Sequence, residues 1–269
     1  MFRYPESPGT FLQVGRGAQI DYSRTNQGYV VGSYLSDGIR KVKMVCTHKP
    51  SQRSQTYAIP SDGRPKAFPL CFSDGEYVIS IYHQVEGAKY QTDSTIVFNV
   101  KLDDPLLPWL YPNTFCAYDK DSPAVKMVQS LFRNVIGDGL MMKVWFYWII
   151  ENISYDKKLA ATVKGGWIPN PNQVLEAKQS ICWGYSSLFA VLRAMGIPVR
   201  IVVGHAGTTY HSWNEVYIKS GIQLTPTWYV KGGQWTRLDL TFLDGGTKPL
   251  PSAEDFVKND ANYKVEYYG

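Results

Sequence analysis

No apolar run in the 269 residues approaches the roughly 18 to 20 needed to cross a bilayer, so a transmembrane helix is excluded. The opening residues, MFRYPESPGTFLQVG, hold neither an apolar h-region nor a small-residue cleavage site and do not read as a signal peptide. The expectation is a cytoplasmic protein or a trimmed secreted or cell-surface one. Only four cysteines occur, Cys46, Cys71, Cys116 and Cys182, with no C-x-x-C spacing and no neighbouring histidine cluster, which argues against structural zinc. No EF-hand loop or tight acidic cluster appears, and no metal or cofactor is expected. The net charge of +5 comes from scattered Lys and Arg, without a basic run or basic helix face, so nucleic acid is not an expected partner. No strong internal repeat is visible.

What is present divides in two. From Phe11 to Leu102 short strand-like runs alternate with turn signals, as in GYVVGSYL followed by SDG, and in SDGEYVISIYHQV. In EYVISIYHQV, period-two alternation puts Tyr77, Ile79, Ile81 and His83 on one face, with Val78, Ser80 and Tyr82 on the other. Six or seven such strands predict an antiparallel, immunoglobulin-like β-sandwich over residues 1–105. Cys46 and Cys71 lie in or beside these strands, as two unpaired thiols or as a disulfide in an oxidising compartment. The stretch DDPLLPWLYPN carries three prolines and continues neither strand nor helix, which sets the expected domain junction there and a second domain over 106–269.

After the junction the period changes. SPAVKMVQSLFRNVIG places Val125, Val128, Leu131, Phe132 and Val135 on one helical stripe, with Ser122 as N-cap and Pro123 at the first helical position. LMMKVWFYWIIENI is apolar nearly all round, the composition of a core helix. A polar, Gly/Pro-broken segment leads to SICWGYSSLFAVLRAMGIP, in which Tyr185, Leu188, Phe189, Leu192 and Met195 share a face, Gly196 fits the C′ position and Pro198 forbids continuation. VRIVVG, HSWNEVYI and QWTRLDLTF then read as three strands, and LDGG after them as a turn, so the second half is α+β.

Cys182 sits in the first turn of its helix, where unsatisfied N–H groups and the dipole favour a thiolate. A buried structural thiol is the plainer alternative. A cysteine nucleophile needs a base and a group that orients the base. Strand alternation puts His211, Trp213, Glu215 and Tyr217 on one face of YHSWNEVYI, and groups Trp235, Arg237 and Asp239 in QWTRLDLTF. Antiparallel pairing would make His211 and Asp239 cross-strand neighbours. A carboxylate inside an apolar strand demands a donor, which His211 or Arg237 would supply.

ICWGYSSLFAVLRAMGIPVRIVVG, HSWNEVYI and WTRLDLTF resemble, in order and spacing, the three blocks of the transglutaminase-like superfamily, over about Ser122 to Phe242. The resemblance implies a papain-like core and a Cys-His-Asp triad, with Cys182 as nucleophile, His211 as base and Asp239 as its orienter. NISYDKK is similar to the Tyr-Asp element that precedes the catalytic block in bacterial members. The chain departs in carrying Ser180 where relatives often have Gly, a residue able to cap the helix, and in an uncharged Trp183 after the cysteine. The Cys182 backbone N–H is the natural oxyanion donor, with Gln173, Gln179 or Trp167 as second-donor candidates. The implied activity is acyl transfer from amide bonds of a peptide or protein substrate through a thioester, with hydrolysis favoured over amine transfer. A non-catalytic binding or scaffold role is the alternative. The polar loop from Asp156 to Gln179 and the turn HAGTTYH should flank the cleft.

Overall fold

Period-two alternation between Ser-Asp-Gly turns builds the strands of the first hundred residues, and the computed structural model, which describes residues 2–38, 41–164, 166–244 and 250–269, places them in two four-stranded sheets. One sheet runs β1 (Leu12–Val14), β2 (Ala18–Asp21), β3 (Tyr29–Tyr34), then β6 (Lys66–Pro69) in spatial order. The other runs β5 (Arg53–Ile59), β4 (Val42–His48), β7 (Gly75–Glu86), β8 (Lys89–Val100). Every pairing is antiparallel.

The two sheets bury their facing sides against each other. Ile20, Val30 and Phe68 from the first, and Met44, Ile79 and Ile81 from the second, are fully buried. Tyr57 of β5 packs on Phe68 of β6 with ring centroids 5.2 Å apart. The alternation read in β7 holds: Tyr77, Ile79, Ile81 and His83 all point inward. His83 is accommodated because its Nδ1 lies 2.6 Å from Asp93 Oδ2, a hydrogen bond that satisfies a ring otherwise costly to bury. Cys46 and Cys71 are free thiols, and the Cys71 sulfur lies 3.2 Å from the Tyr57 hydroxyl. These strands belong to a compact unit spanning Pro5–Trp109.

Leu110–Gly269, with the first residues through Tyr4, form the other unit. Its helices are α1 (Pro123–Leu131), α2 (Asp138–Asn152), α3 (Lys157–Thr162), α4 (Pro171–Ala177) and α5 (Cys182–Phe189). Between them a two-residue strand β9 (Ser154–Tyr155) pairs in parallel with β10 (Gln179–Ser180). The sheet contains β11 (Val199–Ala206), β12 (Thr209–Ile218), β15 (Gln234–Leu238) and β16 (Tyr263–Tyr268) in the order β15-β12-β11-β16. A hairpin of β13 (Ile222–Thr225) and β14 (Trp228–Val230) is inserted before β15, and α6 (Leu240–Leu243) and α7 (Leu250–Lys258) precede β16. The unit is therefore α+β, and the C-terminal strand completes its sheet.

Several local expectations change. Helix α1 ends at Leu131, so Val135 is not on it, and the Ser122 hydroxyl accepts from Asp119 N–H instead of capping the helix. Helix α2 buries one stripe, Met142, Trp145, Phe146 and Ile149, while Leu140 is exposed and Ile150 borders a cleft. Of the turn read in LDGG, Gly245 and Gly246 lie outside the described residues. Helix α5 tightens into a 3₁₀ segment, Ala190–Met195, that ends on Gly196 in the left-handed region at φ 78°, as the Gly-Pro signal predicts.

Candidate active site

Helix α5 is locked from several directions, which fixes where its first residue sits. Leu188 and Phe189 are fully buried, and the Leu188 carbonyl accepts from the Trp145 indole of α2 at 3.1 Å. The Ser187 hydroxyl donates to Phe115 O at 2.8 Å, and Asn214 of β12 donates to Ser186 O at 3.1 Å. At the helix head the N-cap is Ile181, which offers no side-chain acceptor. The N–H groups of the first turn thus keep no side-chain cap. Ser180 is not the cap expected of it. Its side chain is buried against Gly184, where a Cβ would overlap the serine hydroxyl. Cys182 is half-buried at this head, and the Trp183 ring beside it meets Phe115 edge-on at 5.9 Å.

His211, on β12, places Nε2 2.8 Å from Asp239 Oδ2. The two do not meet as a cross-strand pair. His211 stands opposite Gly204 of β11, and the β12–β15 ladder runs only from Ile218↔Gln234 to Asn214↔Leu238. Asp239 is the first residue past that ladder. It turns out of the strand to cap α6, accepting from Phe242 N–H at 3.4 Å. Arg237 is not its partner: the guanidinium donates to Val257 O at 2.9 Å and to Asp260 at 2.6 Å.

A third donor reaches the carboxylate. The Tyr263 hydroxyl of β16 donates to Asp239 Oδ2 at 2.8 Å. Asp239 is completely buried, and three donors, one an imidazole, offset the cost of hiding its charge. Sequence reasoning missed Tyr263. The alternation in YKVEYY could have flagged a closing strand, but nothing in it points to Asp239. Burial and the Asp239 charge push the Tyr263 phenol far above the usual tyrosine range, so it remains a donor.

Aromatic rings wall in the imidazole, with Phe242 at 5.1 Å and Trp213 at 6.4 Å between centroids. Burial alone would pull the His211 pKa down. The charge and hydrogen bond of Asp239, reinforced by a hydrogen bond with Cys182, overcome it and push the pKa up to about 10. With Nε2 committed to Asp239, Nδ1 is the ring nitrogen that meets Cys182. The three residues singled out in the sequence are thus brought together around one imidazole. The other histidines lie elsewhere: His205 faces Glu266, while His48 and His83 belong to the sandwich strands.

A cleft of about 810 Å³ opens beside His211. Its walls include Tyr155, Lys157, Lys178, Thr209, Phe242 and Asp244. The ends of the polar loop and the turn before His211 flank it, as expected, whereas Trp167, Gln173 and Gln179 are not among its walls. Among the described residues no group of His, Cys, Asp or Glu is arranged to hold a metal ion, and no helix is long and apolar enough to cross a membrane.

Residues 129–240, a segment that contains Cys182, His211 and Asp239, match the model of the transglutaminase-like superfamily. No curated protein matches the chain. Among solved structures, one described as a candidate cysteine protease from Cytophaga hutchinsonii is similar at 15% identity and TM-score 0.40, covering 79% of this chain and 78% of that one. A structure described as a TGase is similar at 17% identity and TM-score 0.33, over 52% of this chain and 33% of its own. A candidate protease from Parabacteroides distasonis is similar at 10% identity and TM-score 0.32, over 83% of this chain and 65% of its own.

Proposed function

We propose that this chain, whose residues 129–240 carry a transglutaminase-like core, is a cysteine-dependent acyl-transfer enzyme acting on amide bonds of peptides or proteins. The observation that carries the reading is the single imidazole held between the Cys182 thiol and a buried, triply bonded Asp239. In this mechanism the Cys182 sulfur, as thiolate, bonds to the amide carbonyl carbon and the carbonyl π pair moves to oxygen. When the tetrahedral adduct collapses, the C–N bond breaks and His211, protonated at Nδ1, gives its proton to the leaving amine or ammonia. A thioester remains on Cys182. His211, now neutral, takes a proton from the incoming water or amine as it attacks the thioester, and the C–S bond breaks to return Cys182 as the thiolate beside protonated His211. Asp239 accepts from Nε2–H throughout, fixing the ring and stabilising its cationic form.

Hydrolysis and amine transfer share every step up to the thioester. Hydrolysis is the reading we adopt, with water as the second acceptor. The test is mass spectrometry of a glutamine-containing peptide library incubated with and without a primary amine. Cleaved or deamidated products, and a thioester adduct lost in Cys182→Ala, are expected. Amine incorporation without peptide-bond cleavage would replace hydrolysis by cross-linking, and product formation that survives Cys182→Ala would sink the whole assignment.

A further inference from the structure

Attack on a carbonyl creates an oxyanion, and the uncapped head of α5 offers the Cys182 N–H as one donor to it. We propose that the Tyr155 hydroxyl is the second donor to that oxyanion, an inference that rests on the acyl-transfer reading above.

The geometry starts from a two-residue ladder. Tyr155 pairs in parallel with Ser180, two residues before Cys182. Partners in a ladder project to the same side of the ribbon. The Ser180 side chain packs on Gly184 in the first turn of α5, so the Tyr155 ring projects on the side of the helix head. It lines the same cleft as His211. No hydrogen-bond partner holds its hydroxyl among the described residues, and the residue is 39% exposed, open to a ligand.

Its backbone, in contrast, is fixed on both sides. Ser154 N–H donates to Lys178 O at 2.9 Å and Asp156 N–H to Ser180 O at 2.8 Å. The Tyr185 hydroxyl, from α5 itself, donates to Ile153 O at 2.9 Å, and the Asp156 side chain caps α3 through Leu159 N–H at 2.8 Å. The backbone that carries the hydroxyl is therefore fixed, which limits the reorganisation an oxyanion donor needs to the side-chain torsions. Partial burial and the charges of Cys182 and Asp244 push the phenol above its ordinary range, so it stays protonated and able to donate. In the reaction Tyr155 keeps its proton: the S–C bond forms, the oxyanion accepts from Cys182 N–H and Tyr155 O–H, and collapse returns the electron pair to the carbonyl as the leaving group departs with the His211 proton.

Two small probes separate this role from any effect on the thiol. p-Nitrophenyl acetate acylates a thiolate through an oxyanion, whereas iodoacetamide alkylates it by displacement at a saturated carbon, without one. Tyr155→Phe removes only the hydroxyl. It should slow p-nitrophenolate release at least about tenfold, a single donor being worth roughly 10²–10³ in rate, and leave alkylation of Cys182 within about twofold. Equal loss of both rates, or loss of neither, overturns the assignment. Cys182→Ala distinguishes the two levels of the reading. If p-nitrophenolate release persists without the cysteine, acyl transfer at Cys182 fails; if it vanishes there while Tyr155→Phe matches the parent protein, the tyrosine assignment alone fails.

Discussion

His211 carries a linkage between chemistry and stability. Its pKa rises from 6.5 to about 10 on folding, so the folded state binds the proton more tightly than the unfolded chain does. The stability this contributes is fully present below pH 6.5 and is lost as the pH rises through about 10. Urea midpoints measured at several pH values across that window, for the parent protein and His211→Gln, should converge as the pH rises. Parallel curves would show that the imidazole is not held as a cation. The same residue illustrates the reach of local pattern. HSWNEV marks it as a strand histidine, and the resemblance marks it as a base, but the other donors that hold the Asp239 carboxyl beside it come from positions 242 and 263.

At the scale of the element, the decisive contact is β10 against the head of α5. An added Cβ at Gly184 would overlap the Ser180 hydroxyl and come within 3.0 Å of Val174 Cγ2. Gly184→Ala therefore either displaces β10, and with it the segment leading into Cys182, or pushes the helix head out of line. The expected cost is about 1–3 kcal/mol in urea-derived stability, accompanied by slower alkylation of Cys182. Adding Ser180→Gly removes the worst overlap and should restore much of both, leaving only the lesser contact with Val174. Failure of the second change to recover anything would mean that the glycine matters for a reason other than this contact. Helix periodicity gave the glycine stop and the buried positions Tyr185, Leu188, Phe189 and Leu192 correctly, because these depend on residues within a turn of one another, whereas Met195 at the end of the stripe is only half-buried. It misplaced the cap: Ser180 is drawn into a short parallel ladder with Tyr155, a pairing of segments some 25 residues apart that no local pattern announces.

Across the second unit as a whole, one buried cation gathers distant segments. Arg193 is fully buried in the 3₁₀ segment after α5, and donates to Val199 O at 2.8 Å, Tyr111 O at 3.1 Å and Gly269 O at 2.7 Å. It ties the entry to the unit, the start of β11 and the residue after β16 to one point. Arg193→Met keeps much of the side-chain volume but removes a charged donor from three carbonyls, of which Gly269 O keeps the Ile201 N–H at 2.9 Å, and it should cost about 3 kcal/mol. Because β16 delivers Tyr263, the variant should also weaken the Asp239 site, read as slower iodoacetamide alkylation of Cys182. Unchanged stability would show that water satisfies those carbonyls equally well.

Local pattern in the chain was enough for the strands of the first unit from β3 to β8, with the first two, β1 and β2, unannounced, for the change of period after the proline-rich junction, for the helix headed by Cys182 and for the three residues that meet around the imidazole. Each of these depends on neighbours within a few positions, or on motifs whose order the chain preserves. That Asp239 leaves its strand, that Tyr263 bonds to it from the closing strand, and that Tyr155 pairs with Ser180 just before the helix head emerge from the fold alone. These depend on segments brought together by sheet completion and by a two-residue ladder. A buried carboxylate or an uncapped helix end selects its partners by proximity in space, and separation along the chain leaves no periodic trace of that choice.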